Sequence, residues 1–234
     1  MEQTTTFASH IKYAAIVAAF GVVATFFTHA AVEPQITHSQ ETASTTFAIY
    51  QTITDETSFA TEAPNVVMAG DIAGLTGGQA TGTTQFKVRT NNAAGYFVEI
   101  AFFDNGNDHA MMGNISLGDE IRNYSGDNGA LPSRGYQASP TQAEFAYSVN
   151  SSSSIDTAIA FRNGGGVCGS GVIDSFQCWK APSTTAYEIA RRTGPATTGA
   201  TTSVQFTVSV PSGATPAPNS ETYTATATLS LFTI

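Results

Sequence analysis

From Ser203 to Val210 every second side chain is apolar: Val204, Phe206, Val208 and Val210 lie on one face, Gln205, Thr207 and Ser209 on the other. A strand sends successive side chains to opposite faces, so this pattern fits a sheet with one side in a core and no helix. The last segment, Tyr223–Ile234 (YTATATLSLFTI), alternates in the same way to its final residue. Chain ends are normally polar and frayed, so an apolar strand there has to be paired and covered.

The same period recurs upstream. Phe86 and Val88 oppose Lys87 and Arg89 within Thr84–Thr90, and Tyr96, Val98, Ile100 and Phe102 share a face of YFVEIAFF, 96–103. Between these runs Asn91-Asn92-Ala93-Ala94-Gly95 supplies residues that tolerate positive φ, and the two runs are expected to form a hairpin. Further strands are expected at Glu144–Val149, with Phe145, Tyr147 and Val149 inward, and at Thr157–Arg162, with Ile159 and Phe161 inward. Phe47, Ile49 and Ile53 share one face of an earlier alternating run, interrupted by Gln51. Residues 104–142 read as glycine-punctuated loop, and Thr184–Arg192 could make two helical turns but has no apolar stripe. Short strands, Gly-rich turns and no βαβ rhythm predict an all-β domain over 45–234, an antiparallel β-sandwich with Greek-key or jelly-roll links.

Composition agrees. Charged residues are 12% of the 234, about half the usual share, whereas long surface helices normally carry many Glu, Lys and Arg. Eighteen acidic residues face nine basic ones, giving a net charge of −9. Binding to nucleic acid, which draws affinity from Lys and Arg, is not expected.

Residues 13–28 (YAAIVAAFGVVATFFT) carry no charge, Lys12 precedes them, and Thr28-His29-Ala30 has small-x-small spacing. Residues 1–30 are therefore read as an N-terminal hydrophobic helix, a cleaved secretory signal peptide or, if uncleaved, a membrane anchor. Residues 31–44 are polar and patternless, an extended arm or linker. Either reading places the remainder outside the cytoplasm.

Cys168 and Cys178, the two cysteines, are expected to form a disulfide in an exported chain. Trp179 follows directly and covers that bridge or, with Tyr136, offers a stacking platform for a sugar. Asp104-Asn105-Gly106-Asn107-Asp108 resembles a calcium loop, with Asp104, Asn105 and Asp108 as weak ligands. Gly106, however, stands where a second side-chain oxygen is needed, and an Asx-rich turn is the simpler reading. No cofactor is expected. A serine-nucleophile reading of Gly169-Ser170-Gly171 needs a base, and His109 is the one usable histidine beyond the N-terminal segments. Asn114, Asn123 and Asn150 begin glycosylation sequons.

Three blocks, TTQFKVRTNNAAGYFVEI (83–100), AYSV (146–149) and VQFTVSVPSGATPAPNSETYTATATLSL (204–231), resemble secreted β-sandwich surface proteins of candidate-phyla bacteria. Those proteins carry an early and a final hairpin around a middle strand. In this chain Asn219-Ser220-Glu221 replaces the usual glycine before the last strand. The resemblance implies an envelope β-sandwich and brings no catalytic residue.

The expected role is thus an exported, non-enzymatic cell-surface structural or adhesive protein, including a fimbrial or filament subunit that assembles by strand addition. Its partner would be a second copy of itself, or envelope components and glycans, and it would touch a membrane only through an uncleaved N-terminal segment. Candidate strand-donating residues are Phe47, Ile49 and Ile53 in the N-terminal region and Tyr223, Leu229 and Leu231 near the end. A secreted glycan-binding module is the alternative, and an extracellular hydrolase a third.

Overall fold

The longest strand of the computed structural model is the one the alternation marked most strongly. β10 (Ala196–Val210) is flanked on one side by β2 (Gly78–Thr90) and on the other by β7 (Glu144–Ser151), both antiparallel to it. The structure describes residues 46–104, 106, 109–127, 129, 131–151, 156–171 and 177–234. The N-terminal helix expected over 1–30 and the arm over 31–44 lie outside these residues. Among the described residues, those up to Gln51 have no regular secondary structure, and Thr52–Ile234 make one compact unit.

That unit is nearly all β. Its larger sheet runs β1 (Thr57–Thr61), β2, β10, β7, β5 (Glu120–Asn123), β4 (Met111–Gly113), β11 (Tyr223–Ala225), and β8 (Cys178–Lys180) joins β7 to β6 (Ser133–Arg134). The second sheet has three strands in the order β12 (Ala227–Thr233), β3 (Tyr96–Phe102), β9 (Tyr187–Arg192). Every strand pairing is antiparallel except β5 with β7, a parallel contact at Arg122/Glu144 and Asn123/Phe145. The larger sheet is therefore mixed, not purely antiparallel.

Both sheets feed one core. Phe86, Val88, Val204 and Val208 come from the larger sheet, Val98, Ile100 and Ile189 from the smaller. Phe102 of β3 sits 6.0 Å from Phe145 and 5.2 Å from Tyr147 of β7, ring centre to ring centre. Burial along β3 follows the period of two residue by residue: Tyr96, Val98, Ile100 and Phe102 are buried, and the residues between them are half-buried.

Neither expected hairpin is a hairpin. β2 and β3 are joined by the Asn91–Gly95 turn, yet they belong to different sheets. The turn is a corner instead. Asn92 accepts from the Ala94 amide through Oδ1 and from the Gly95 amide through its carbonyl. Gly95 has φ +99°, and a Cβ there would lie 1.9 Å from the Arg192 carbonyl oxygen. Only glycine lets the chain turn that close to β9. The C-terminal pair, including the final hairpin implied by the resemblance, behaves likewise: β10 stays in the larger sheet, while the final segment breaks at Thr226. β11 pairs with β4, and β12 crosses to pair with β3. Alternation states which face is buried and is silent about the neighbour.

Three other expectations change. Ile159–Phe161 is a short 3-10 turn that buries Phe161 and leaves Ile159 58% exposed, beside the glycines of a second turn at Gly164–Gly166. Tyr187–Arg192 is a strand and makes no helical turns. The alternating run at 47–53 has no strand, and Phe47, Ile49, Tyr50 and Ile53 are each at least 80% exposed.

Candidate functional site

Cys168 and Cys178 form the disulfide, with Cα atoms 5.9 Å apart. Trp179 belongs to a separate small cluster. It is 7% exposed, packs on Tyr136 at 5.5 Å, and Tyr136 packs on Tyr124 at 5.1 Å. The indole is thus placed within the protein, with its ring against Tyr136 and away from solvent. A sugar-stacking platform needs an open aromatic face.

Asp104 Oδ1 accepts from the Gly106 amide at 2.9 Å, as in an Asx turn that ends β3. Asn105 and Asp108 lie outside the described residues. His109 Nδ1 is 2.5 Å from Glu120 Oε2, a pair made by one carboxylate. A neighbouring group, Asp119, accepts from the Tyr223 hydroxyl and from the Asn219 amide and so holds the 217–222 loop to the start of β5. Glu221 completes that clasp by accepting the Ile115 and Ser116 amides. These backbone donors, Ile115 first, hold its carboxyl below the usual value.

Charged groups in the interior are matched. Glu144 accepts from Ser125 and Ser139, and Asp156 faces Arg192 at 2.9 Å. Lys180 Nζ lies 3.3 Å from Asp127, donates to the Gly129 carbonyl and sits 4.4 Å above the Tyr187 ring. Each is hydrogen-bonded as a buried charge must be, and each ties a loop to a strand.

The unusual feature lies along one side of the two sheets. β12 ends the smaller sheet, paired with β3 and with no strand on its far side among the described residues. β1 likewise ends the larger sheet. The two free edges flank each other: a cleft runs between Thr57–Phe59 of β1 and Leu231–Thr233 of β12. Beside it, between β12 and the 63–75 segment that follows β1, opens a cavity of about 1170 Å³.

Its walls are the inward residues of both sheets. Ala80, Val204 and Val208 come from the larger, Ile100, Phe102 and Leu229 from the smaller. Segment 63–75 only partly covers it. Met68 and Ile72 pack on the core, whereas Val67 and Leu75 are 95% and 78% exposed. Interiors are normally packed as tightly as organic crystals, with few voids larger than one water. This space is open to solvent on one side, and its lining mixes those apolar residues with polar ones such as Asn65, Thr84 and Glu221.

Of the strand-donating candidates, Tyr223 pairs with Gly113, and Leu229 and Leu231 pair with Ile100 and Val98 of their own chain. Leu229 and Leu231 are half-buried and pack against the core. Phe47, Ile49 and Ile53 pair with no strand among the described residues. The cavity itself was not legible beforehand. It depends on which strands face each other across the two sheets, and the one local hint was the run of small residues, Ala217, Ala225 and Ala227, that line it.

Among the described residues no helix is long and apolar enough to cross a membrane. No family model matches the chain, and no curated protein matches it.

Proposed function

We propose that the chain is an exported cell-surface structural subunit, a Greek-key β-sandwich that joins to further copies by strand addition. The observation that carries this reading is the open edge of β12. Its apolar residues Leu229 and Leu231 are half-buried, and among the described residues no strand pairs with its far side, which faces β1 across a cleft. An unpaired apolar edge is a template for another strand, and monomeric proteins blunt such edges with charge, proline or a covering loop. β12 (ATLSLFT) carries no charge and no proline.

Export is supported by the Cys168–Cys178 disulfide, of a kind that persists outside reducing compartments, together with the apolar run at 13–28. A structural role suits the low charge and the investment of polar groups in loop-to-strand clasps. Strand addition gives a subunit many backbone hydrogen bonds with a neighbour, and apolar side chains on alternate positions give specificity.

The test is electron microscopy of the purified exported protein with non-boiled SDS gels. Fibres or SDS-resistant ladders are expected. A protein that stays monomeric at all concentrations and is not retained at the cell surface would remove the proposal.

A further inference from the structure

We infer that the outer face of the smaller sheet is a binding surface for a neutral glycan, with a sugar ring packed on Phe232 and its hydroxyls received by Ser230 and Glu99. The surface is built by the residues that alternate with the inward Val98, Ile100, Leu229 and Leu231, and so faces away from the core. In the register of the three strands, Phe97 of β3 stands between Phe232 of β12 and Arg191 of β9. One step along the same face, Glu99 stands between Ser230 and Glu188. An apolar row thus lies beside a row of hydrogen-bond acceptors.

The apolar row supplies the open aromatic face that the enclosed Trp179 does not. The rings of Phe97 and Phe232 stack with centres 4.8 Å apart and planes 16° apart, and the Arg191 guanidinium lies 5.0 Å from the Phe97 ring centre. Phe97 is thereby covered from both flanking strands, whereas Phe232 is 42% exposed and belongs to no part of the core. A cross-strand aromatic pair steadies a sheet, and its exposed member is a rigid apolar plate held at a fixed angle.

The acceptor row contains an unmatched charge. Glu188 receives Nε and Nη2 of Arg191, the latter at 2.5 Å, and that ion pair consumes both residues. Glu99 is half-buried next to it and has no hydrogen-bond or ion-pair partner among the described residues, and neither has Ser230. A carboxylate in this position gains from hydroxyl donors, since hydrogen bonds to an ionised acceptor are the strong ones.

The two rows together select the ligand. With Arg191 spent on Glu188, the face keeps one negative charge in a chain of net charge −9, which turns away acidic polymers. A neutral pyranose brings a C–H face for the phenyl ring and, at its edge, hydroxyls for Glu99 and Ser230. A cationic peptide would be held mainly by charge and released by salt, whereas direct hydroxyl contacts are screened little.

The test is calorimetric titration of the exported protein with cellohexaose, mannohexaose and maltohexaose, with hexalysine and polygalacturonate as charged controls. At least one neutral hexaose should bind saturably with a Kd of about 1 mM or tighter, equally well at about 50 and about 500 mM NaCl. Phe232→Ala should weaken it roughly tenfold or more and Glu99→Gln about threefold. Val67→Ala, at a position 95% exposed on the segment that follows β1, should leave it unchanged. Amide shifts of the unsubstituted protein should centre on Phe97, Glu99, Ser230 and Phe232, a reading that does not depend on how the variants fold. Binding of none of the three hexaoses, preference for hexalysine or polygalacturonate, shifts centred elsewhere, or parental affinity in a folded Phe232→Ala chain would each overturn the assignment. A single chain suffices for every measurement, so none of these results bears on strand addition along β12.

Discussion

Ala80→Leu asks whether the space beside β12 is truly open. Ala80 is 5% exposed, lies on the inward face of β2 opposite Val208 and lines the cavity. In a packed core the three extra carbons would force neighbours apart and cost about 1–3 kcal/mol. If they extend into the cavity that Ala80 lines, they leave water instead. At ~0.8 kcal/mol per buried carbon that is a gain of about 2.4 kcal/mol, less about 0.5–1 kcal/mol of leucine rotamer freedom. The expected outcome is a stabilisation of about 1.5 kcal/mol, seen as a rise in Tm of roughly 3–6 °C for a domain of this size. Urea and thermal melts should be run at low protein concentration, so that any assembly does not contribute. A destabilisation of about 1 kcal/mol or more would mean that the space beside Ala80 is closed in solution.

Removing Leu229–Ile234 takes away most of β12 and leaves β3 with β9 alone; cooperative melting should be lost, and a soluble truncated chain that melts sharply would refute this. Replacing Cys168 and Cys178 together with alanine opens a loop of sequence separation 10, for which chain entropy gives a loss of about 2.7 kcal/mol, to be read as a lower urea midpoint. Glu221 titrates low because the folded state donates the Ile115 and Ser116 amides to its carboxylate. A depressed folded value means that this contribution is complete above 4.5, the ordinary value, and is lost as pH falls through the lowered one. The protection factors of the Ile115 and Ser116 amides, taken against the intrinsic exchange rate at each pH, should therefore fall in acid, and in Glu221→Gln at neutral pH; unchanged protection in both would contradict the clasp.

How much of this was legible beforehand depends on where each signal resides. β2, β3, β7 and β10 carry their instruction in their own alternation, and the Cys168–Cys178 bond joins the two cysteines of the chain across a short loop. The short strands do not. β4, β6 and β8 have three, two and three residues, and their extended state comes from partners such as Trp179 opposite Ser133 and Ser148; nothing local could announce them. β9 misled for a different reason. Its Glu and Arg suggest a helix surface, but Arg191 pairs with Glu188 and Arg192 with Asp156, so the charges are used within the sheet and at its edge.

The failed hairpins are the more instructive error, because they account for the open edge. Had β2 paired with β3, and β10 with the final segment, each sheet would have closed on sequence neighbours. Instead the chain turns a corner at Asn91–Gly95 and again at Thr226, so that β3 and β12 build the smaller sheet away from β2 and β10. That sheet has three strands beside a nine-stranded one, and the cavity is lined from both, by Val204 and Val208 of β10 and by Leu229 of β12.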